Sequence, residues 1–459
     1  MGSKWPERRL DQVTEFIVDC PHSTPEWTSS GVLVLRNQYI RHGRLNLRDP
    51  SFTTEEGYAN RIKRAVPKPS DLVFTREAPM GEVCQIPEGI KCCLGQRMVL
   101  IRANNELISP RYLLFALQSP YLQHQIGWNE GTGTTVSNIR LPNINAFQIP
   151  LPSLKIQKSI AHILGTLDDK IELNRRMNET LEGVAQTLFK SWFVDFDPVL
   201  DKAMDAGNPI PETMQKRAAA RKQLGNKRKP LPAHIAQHFP DSFVFDEEMG
   251  WIPEGWTSTM IASLGSVTTG KTPPKKVERA FGEDGLPFIT PTDVDDAYFS
   301  TATNRSLTVN GALSIKKAHI PSGTICVTCI GSQMGKTIIS SNDAATNQQI
   351  NSIHVTNASF RNWLFLSLRS RRKELYLLGS SGSTMPIVNK SAFEKLTVLE
   401  PNVDTLVSFD EVVGGLFSRI LDGTVQNHEI SSLRDTLLPK LLSGELQVPD
   451  AEKLIEEAL

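Results

Sequence analysis

Residues 154–192 read LKIQKSIAHILGTLDDKIELNRRMNETLEGVAQTLFKSW, and the rest of the chain is organised around this stretch. It contains no proline, and apolar residues recur in it with a seven-residue period, as in Ile160, Leu167, Leu181 and Leu188. This pattern is typical of a long amphipathic helix with coiled-coil character. Because an apolar stripe of that length has to be buried, the sequence predicts a partner for the helix.

A second stretch with the same pattern, near the end of the chain, is the expected partner. Two such helices running antiparallel hold a domain at either end in a pseudo-twofold arrangement. The alternative is that each helix packs only on its own domain. Asn174 and Gly423 hold equivalent positions in the two stripes, and a polar residue there commonly sets the register. The residues expected to pair the helices are Ile160, Leu164, Leu167, Ile171, Leu181, Val184, Leu188, Leu416, Ile420, Ile430, Leu433 and Leu437.

The similarity between the halves extends beyond the helices. Matches at an offset of about 250 residues include Met80-Gly81 with Met334-Gly335, Gln96 with Gln348, and Arg111 with Arg361. The offset drifts in one direction, as small loop deletions produce, so the pattern indicates a tandem duplication. A period this long is that of a domain with an appendage and not that of a solenoid repeat.

The predicted fold class is α+β, with two similar mixed α/β domains separated by two long helices that form an antiparallel coiled coil. Short β-rich runs broken by Gly, Pro, Asn and Asp predict the mixed domains. The expected segments are a first domain at 1–152, a first helical region at 153–196, a linker at 197–246, a second domain at 247–402, a second helical region at 403–447 and a terminal tail at 448–459.

The linker has a run of basic residues from Lys216 to Lys229 with no acid among its charged side chains. Such a run is suited to following a phosphate backbone. More often such a run belongs to a solvated helix or a flexible tether, and we expect one of these two here.

Composition and charge exclude several classes of protein. The 50 basic and 50 acidic residues balance, which argues against a general polyanion binder. Residues 403–459 hold 4 basic and 11 acidic side chains, so this end is not expected on nucleic acid. Six cysteines give no disulfide framework, and no apolar run is long enough to cross a membrane, so a cytoplasmic location is expected.

No catalytic, cofactor or metal site is expected. The stretch 331–337, GSQMGKT, has three residues between its glycines where a phosphate-binding loop needs four, and its counterpart at 76–82 has no lysine. A turn explains both copies. Cys326 and Cys329 lie in a run that predicts a strand, where residues three apart point to opposite faces and do not share a ligand.

Three stretches resemble the type I restriction–modification specificity subunits. Residues 149–199 resemble the first conserved helical region of that family, and 412–448, with its Leu-Leu-Ser-Gly-Glu-Leu ending, is similar to the closing one. The tract HFPDSFVFDEEMGWIPEGW at 238–256 resembles the start of the second target-recognition domain. The resemblance covers essentially the whole chain in the expected order.

The resemblance implies a DNA-reading protein without catalysis of its own. Each recognition domain would read one half of a split, asymmetric double-stranded DNA site. The helical pair would set the spacing and dock two methyltransferase subunits, which bind S-adenosylmethionine and flip the target adenine. Motor-nuclease subunits would add ATP- and magnesium-dependent translocation and cleavage. No cofactor is expected on this chain itself.

The duplication suggests where the DNA is read. Features shared by the two domains belong to the scaffold or to phosphate contacts, whereas differing polar clusters are candidates for base contacts. The glycine-rich turns that are shared suit phosphate, although tight turns need glycine in any case. The DNA-binding candidates are Arg36, Asn37, Arg41, Arg44, Arg48, Thr132, Gly133, Thr134, Lys271, Thr272, Lys275, Lys276, Lys336, Gly382, Ser383 and Thr384.

Two other functions compete with this one. The first is a cytoplasmic scaffold that carries two adaptor domains on a coiled-coil strut and does not bind DNA, which the zero net charge mildly favours. The second is a nuclease or ATPase whose site the sequence does not reveal.

Overall fold

The computed structural model describes residues 4–47, 49–128, 138–225, 228, 230–380 and 386–456. The chain forms two compact units. Unit 1 comprises Met1–Glu172 with Glu429–Leu459, and unit 2 comprises Leu173–His428. Each unit therefore takes in part of both long helices together with one mixed α/β domain.

Unit 1 has eleven strands among its described residues, as follows. They are β1 (Glu7–Arg9), β2 (Thr14–Asp19), β3 (Val32–Leu35), β4 (Ile40–Arg41), β5 (Arg44–Leu45), β6 (Ser51–Thr53), β7 (Leu72–Thr75), β8 (Val83–Gln85), β9 (Cys92–Leu94), β10 (Met98–Ala103) and β11 (Gln148–Pro150). Its shorter helices are α1 (Glu55–Arg61), α2 (Pro110–Gln118), α3 (Pro120–Trp128) and α4 (Leu141–Asn145). The first long helix, α5 (Leu154–Phe193), starts in unit 1 and ends in unit 2.

Unit 2 repeats the alternation of strands and helices. Its strands are β12 (Phe243–Asp246), β13 (Gly250–Pro253), β14 (Thr257–Met260), β15 (Gly265–Thr269), β16 (Phe281–Gly282), β17 (Leu286–Ile289), β18 (Phe299–Ser300), β19 (Ser306–Leu307), β20 (His319–Ile320), β21 (Ile325–Thr328), β22 (Thr337–Ser340), β23 (Ala344–Thr346), β24 (Ile350–Val355) and β25 (Thr397–Glu400). Its shorter helices are α6 (Asp197–Ala206), α7 (Glu212–Leu224), α8 (Ala233–Ala236), α9 (Ile261–Leu264), α10 (Val309–Ser314), α11 (Arg361–Ser370), α12 (Arg372–Ser380) and α13 (Lys390–Glu394). The second long helix is α14 (Val403–Ser443), and α15 (Val448–Glu456) follows it in unit 1.

The two sheets at the centre of the units have the same strand order, which confirms the duplicated fold. In unit 1 the order is β2-β10-β7-β8, and in unit 2 it is β15-β24-β21-β22 with β18 added at the edge. All the corresponding pairs are antiparallel. A second sheet in each unit contains a parallel pair, β3 with β9 and β17 with β23.

The long helices contact each other within each unit. In unit 1, Ile160, Leu164 and Leu167 of α5 are buried in one core with Ile430 and Leu437 of α14. In unit 2 the contacts run antiparallel, since Asn178 bonds to Thr424 and the ring of Phe193 lies 4.8 Å from that of Phe409. The two helices therefore pair with each other, as the seven-residue period predicts. Each of them also packs on a domain.

One residue that was expected in this pairing, Val184, lies outside the contact. Val184 is 44% exposed, whereas the next residue, Ala185, is fully buried in the core of unit 2. The buried face of α5 passes through Ala185 here and continues through Phe189 and Phe193, which are buried in the same core. Leu181, Leu188 and Leu416 are partly buried against the same core.

The end of α14 shows how local sequence fixes the helix boundary. Gly444 follows the last helical residue with a φ of +75°, which glycine adopts without the clash of a Cβ. The N–H of Leu446 donates to the carbonyl of Lys440 at 3.1 Å, so one of the last free carbonyls of the helix is satisfied. The following residues form α15, in which Ala451 and Ile455 are buried against unit 1.

The predicted linker is largely helical. Helices α6 and α7 lie side by side, and arginines of α7 bond to aspartates of α6. Arg217 bonds to Asp197 at 2.8 Å, and Arg221 lies 3.0 Å from the same carboxylate. These guanidinium groups are therefore paired with carboxylates of the neighbouring helix, which favours the helix over the flexible tether.

Candidate nucleic-acid interface

The connections between the central strands gather at one end of each sheet. Because neighbouring strands are antiparallel, the end of one lies beside the start of the next. In unit 1 this end holds residues 20–22, 76–82 and 95–97, and in unit 2 it holds 270–272, 329–336 and 347–349. We call these the loop end of unit 1 and the loop end of unit 2.

The repeated Met-Gly pair is a tight hairpin at each loop end. Gly81 has a φ of +87° and donates to the carbonyl of Thr75, and Gly335, with a φ of +82°, donates in the same way to Thr328. The hydroxyl of each threonine accepts the next N–H, from Glu82 at 2.9 Å and from Lys336 at 3.0 Å. In unit 2 the hairpin runs straight into strand β22, so the stretch 331–337 has no helix for a phosphate-binding loop.

The matched glutamines have corresponding positions as well. The Nε2 of Gln96 donates to the carbonyl of His22, and the Oε1 of Gln348 accepts from the hydroxyl of Thr272 at 2.5 Å. Each glutamine thus ties the turn before its strand to the connection that leaves the first strand of the sheet. These shared side chains hold the loop ends together and belong to the scaffold.

Three of the candidates in unit 2 lie at its loop end. Lys271 donates its N–H to the carbonyl of Thr346 at 2.8 Å, Thr272 bonds to Gln348, and Lys336 starts the return strand of the hairpin. Lys275 and Lys276 follow in the same connection and are exposed. The structure therefore brings a group of cations to one end of this sheet.

The candidates in unit 1 are spread more widely. Asn37 donates from Nδ2 to the carbonyls of Glu77 and Ala78, so it shapes the hairpin of the loop end. Arg36 lies with its guanidinium 5.2 Å from the centre of the Trp27 ring, and Arg41 bonds to main-chain carbonyls nearby.

Arg44 turns towards the long helix instead. Its Nη2 donates to the carbonyl of Asp168 at 3.2 Å and lies 3.5 Å from the carboxylate of that residue. Arg434 of α14 bonds to the same carboxylate at 2.8 Å. Because its charge is already paired there, we assign Arg44 to the contact with α5 and not to base reading.

Seven candidates lie outside the described residues. They are Arg48, Thr132, Gly133, Thr134, Gly382, Ser383 and Thr384. The residues that follow the two glycine-rich segments are described: Asn138 forms a bridge with Glu77, and Ile387 forms one with Ile330. The described residues that follow both segments therefore lie beside the hairpins of the loop ends.

Arg97 is a residue that the sequence analysis missed. It lies in the turn before β10, with its side chain 51% exposed and its Nε 3.3 Å from Oε2 of Glu77. Its φ is +68°, in a region that residues other than glycine seldom adopt. The adjacent match of Gln96 with Gln348 was the only available signal, and it marked this turn without singling out the arginine.

Burial explains the cysteine pair. Cys326 and Cys329 are buried free thiols, and burial raises the pKa of each, to about 12 and about 11. Thiols of that kind stay protonated near neutral pH and do not act as nucleophiles. Among the described residues no group of three or more His, Cys, Asp or Glu side chains could hold a metal ion, and none of the described helices is long and apolar enough to span a membrane.

Comparison with known proteins gives a consistent result. The model of the family described as "Type I restriction modification DNA specificity domain" matches residues 2–183 and 253–406. The specificity subunit of the type I restriction enzyme HindI from Haemophilus influenzae is 30% identical over 90% of this chain and 92% of its own length. The specificity subunit of the type I enzyme MjaIX from Methanocaldococcus jannaschii is 24% identical, with 90% and 84% covered.

A solved structure has the same fold. The S subunit of a type I restriction–modification system from M. genitalium superimposes with a TM-score of 0.50 at 14% identity, covering 96% of each chain.

Proposed function

The chain belongs to the family of type I restriction–modification DNA specificity subunits, and from that premise we propose that each of its units reads one half of a split, asymmetric DNA site. It is a sequence-recognition subunit of a restriction–modification system, and the scaffold that does not bind DNA is not favoured. The observation that supports two separate readings is the pair of loop ends, which share a scaffold and differ in the polar side chains they present.

The differences between the loop ends are of the kind that base reading requires. Thr75 and Thr328 shape the two hairpins in the same way, whereas the residue bonded to each hydroxyl is Glu82 in one unit and Lys336 in the other. Contacts to phosphate position a protein on DNA, and contacts to base edges specify the sequence. Hairpins with the same backbone contacts and different side chains suit two domains that read different sequences.

The long helices supply the rest of the proposed role. Since α5 and α14 each contribute residues to both units, we assign to them the spacing of the half-sites and the docking of two methyltransferase subunits. The chain itself contributes no catalysis in this proposal. S-adenosylmethionine is held by the methyltransferase subunits, and ATP and magnesium by the motor-nuclease subunits, in the cytoplasm.

The test is to map methylated adenines in cells that express this chain with its cognate methyltransferase subunits. A single split motif supports the proposal, and exchange of residues 1–152 for those of a relative then changes one half only. An exchange that altered both halves, or a complex that methylated no defined motif, would overturn it.

A further inference from the structure

The turn at residues 95–97 holds Arg97 in an unusual conformation. Its left-handed backbone is uncommon for a residue with a Cβ and tends to persist where the surroundings impose it, often at functional sites. The carbonyl of Arg97 accepts the N–H of Arg76 at 2.8 Å, and the carbonyl of Leu35 accepts that of Gly95 at 2.7 Å. The main chain is therefore fixed on both sides of the residue.

The side chain has a carboxylate partner at one end of its guanidinium group. Nε of Arg97 lies 3.3 Å from Oε2 of Glu77, and Oε1 of Glu77 accepts from Nδ2 of Asn138 at 2.6 Å. Among the described residues no other carboxylate pairs with this guanidinium. Nε of the planar group is thus paired with Glu77, and about half of the side chain remains open to solvent.

The other cations of this loop end are already engaged. Arg76 is 13% exposed and bonds to the carboxylate of Asp19 at 2.7 Å and to the carbonyl of Ile139 at 2.9 Å. The ring of His22 lies 3.1 Å from the same carboxylate. Arg76 and His22 therefore share one carboxylate, whereas Arg97 is paired with a different one, Glu77, and has a half-exposed side chain.

The duplication adds an independent reason. Gln96 and Gln348 are matched scaffold residues, and the residue that follows is Arg97 in one unit and Gln349 in the other. Gln349 is also held by its neighbour, with its N–H donating to Oδ1 of Asn347 at 2.9 Å. The corresponding position of the turn is therefore an arginine in unit 1 and a glutamine in unit 2, and in both units it follows the matched glutamine.

We infer that Arg97 is a specificity-determining residue that reads a guanine in the half-site of unit 1, an inference that rests on the proposed function. An arginine donates two parallel hydrogen bonds to O6 and N7 of guanine in the major groove, and this pairing requires a planar fork held at a defined angle. Glu77 is a positioning residue that holds the fork. A phosphate contact does not require such an orientation, because a point charge such as that of lysine also serves it.

The experiment compares the methylated motifs of the wild-type complex and three variants. Arg97→Asn keeps a residue that tolerates the left-handed backbone, and Arg97→Lys keeps the charge and removes the fork. Arg9→Ala is the matched control, since Arg9 is also an exposed arginine bonded to a carboxylate, Asp11, but precedes the start of β2 at the opposite end of the sheet.

We expect the wild-type first half-site to contain an invariant guanine. Arg97→Asn should lose discrimination at that position by roughly 5- to 150-fold, the equivalent of about 1–3 kcal/mol for one bidentate pair, and Arg97→Lys should lose less, because an ammonium group still donates to guanine. The remaining positions and the whole second half-site should be unchanged, and Arg9→Ala should leave the motif intact. Should Arg97→Asn fail to assemble, Glu77→Gln tests the same position and should relax it more weakly.

A second measurement uses a DNA duplex in which that guanine is replaced by 7-deazaguanine, which lacks the N7 acceptor. The wild-type complex should bind the modified duplex more weakly than the normal one, and the Arg97→Asn complex should bind both equally. Retention of the guanine by Arg97→Asn, or uniform weakening at every site with an unchanged motif, would place Arg97 on phosphate and overturn the inference. Absence of any split motif in the wild type would instead remove the proposed function.

Discussion

The amide of Asn174 donates to Oε1 of Gln426 at 2.7 Å, and also to Oδ1 of Asn427 at 3.1 Å, across the helix pair of unit 2. Asn174 is only 7% exposed, so its hydrogen bonds are made in a largely dry contact. We expect Asn174→Ala to lower the stability of unit 2 by about 1–3 kcal/mol, because it leaves buried polar partners unpaired. Thermal unfolding of the full chain checks this, with Met177→Ala, at a half-exposed position of the same helix, as the control. Equal effects of the two changes would contradict it.

Two glycines of α14 provide a matched pair of tests. A Cβ at Gly423 would lie 2.7 Å from Oδ1 of Asn178, whose Nδ2 bonds to the carbonyl of Ile420 and to Thr424. A Cβ at Gly414 would meet nothing within 4 Å. Gly414→Ala should therefore gain up to about 1 kcal/mol from helix propensity, whereas the contact in Gly423→Ala should cancel or reverse that gain. The unfolding midpoint of Gly414→Ala should therefore lie above that of Gly423→Ala. Identical midpoints would show that the helices are not packed this closely.

Adjacent aspartates of α5 should differ sharply in their effect on unit 1. Asp168 is 17% exposed and pairs with both Arg434 and Arg44, while Asp169 is 69% exposed and pairs with Arg111. Removing one partner of a shielded pair leaves a charge without compensation, so we expect Asp168→Asn to cost about 1–3 kcal/mol. Asp169→Asn should cost no more than about 1 kcal/mol, because solvent screens that pair. Denaturant unfolding of both variants makes the comparison, and an equal loss would mean that Asp168 is not the shared partner.

The sequence predicted the architecture more completely than it predicted the candidate site. Periodicity depends on neighbouring residues, so it could predict the long helices and most of their buried positions. It did not place Val184 outside the contact, because the buried face of α5 passes through the next residue, Ala185, and then through Phe189 and Phe193. Arg44 was assigned to DNA because its partner Asp168 lies 124 residues away in the chain. Arg97 was missed because its importance lies in a backbone angle and in the contact with Glu77.

The pairing of α6 with α7 predicts a response to acid. Burial alone raises the pKa of Asp197, but the bonds from Arg217 and Ser191 and the charge of Arg221 outweigh it and hold the pKa below its ordinary value. A carboxyl whose pKa is lower in the folded state stabilises the fold above the unfolded pKa, about 3.9, and that stability is lost as pH falls through the folded value. Unfolding midpoints from pH 6 to pH 3 should therefore fall more steeply for the wild type than for Asp197→Asn. Parallel curves would show that the charge of Asp197 does not hold α6 to α7.

The two hairpin threonines offer a test of independence between the half-sites. Thr75→Val and Thr328→Val each remove the hydroxyl that accepts a main-chain N–H, from Glu82 in unit 1 and from Lys336 in unit 2. An N–H left unpaired in such a position costs about 1–3 kcal/mol and loosens the hairpin that shapes the loop end. Thr75→Val should blur the first half of the methylated motif and leave the second intact, and Thr328→Val should do the reverse. Each variant is thereby the control for the other, and a change in both halves from either one would mean that the loop ends do not read DNA separately.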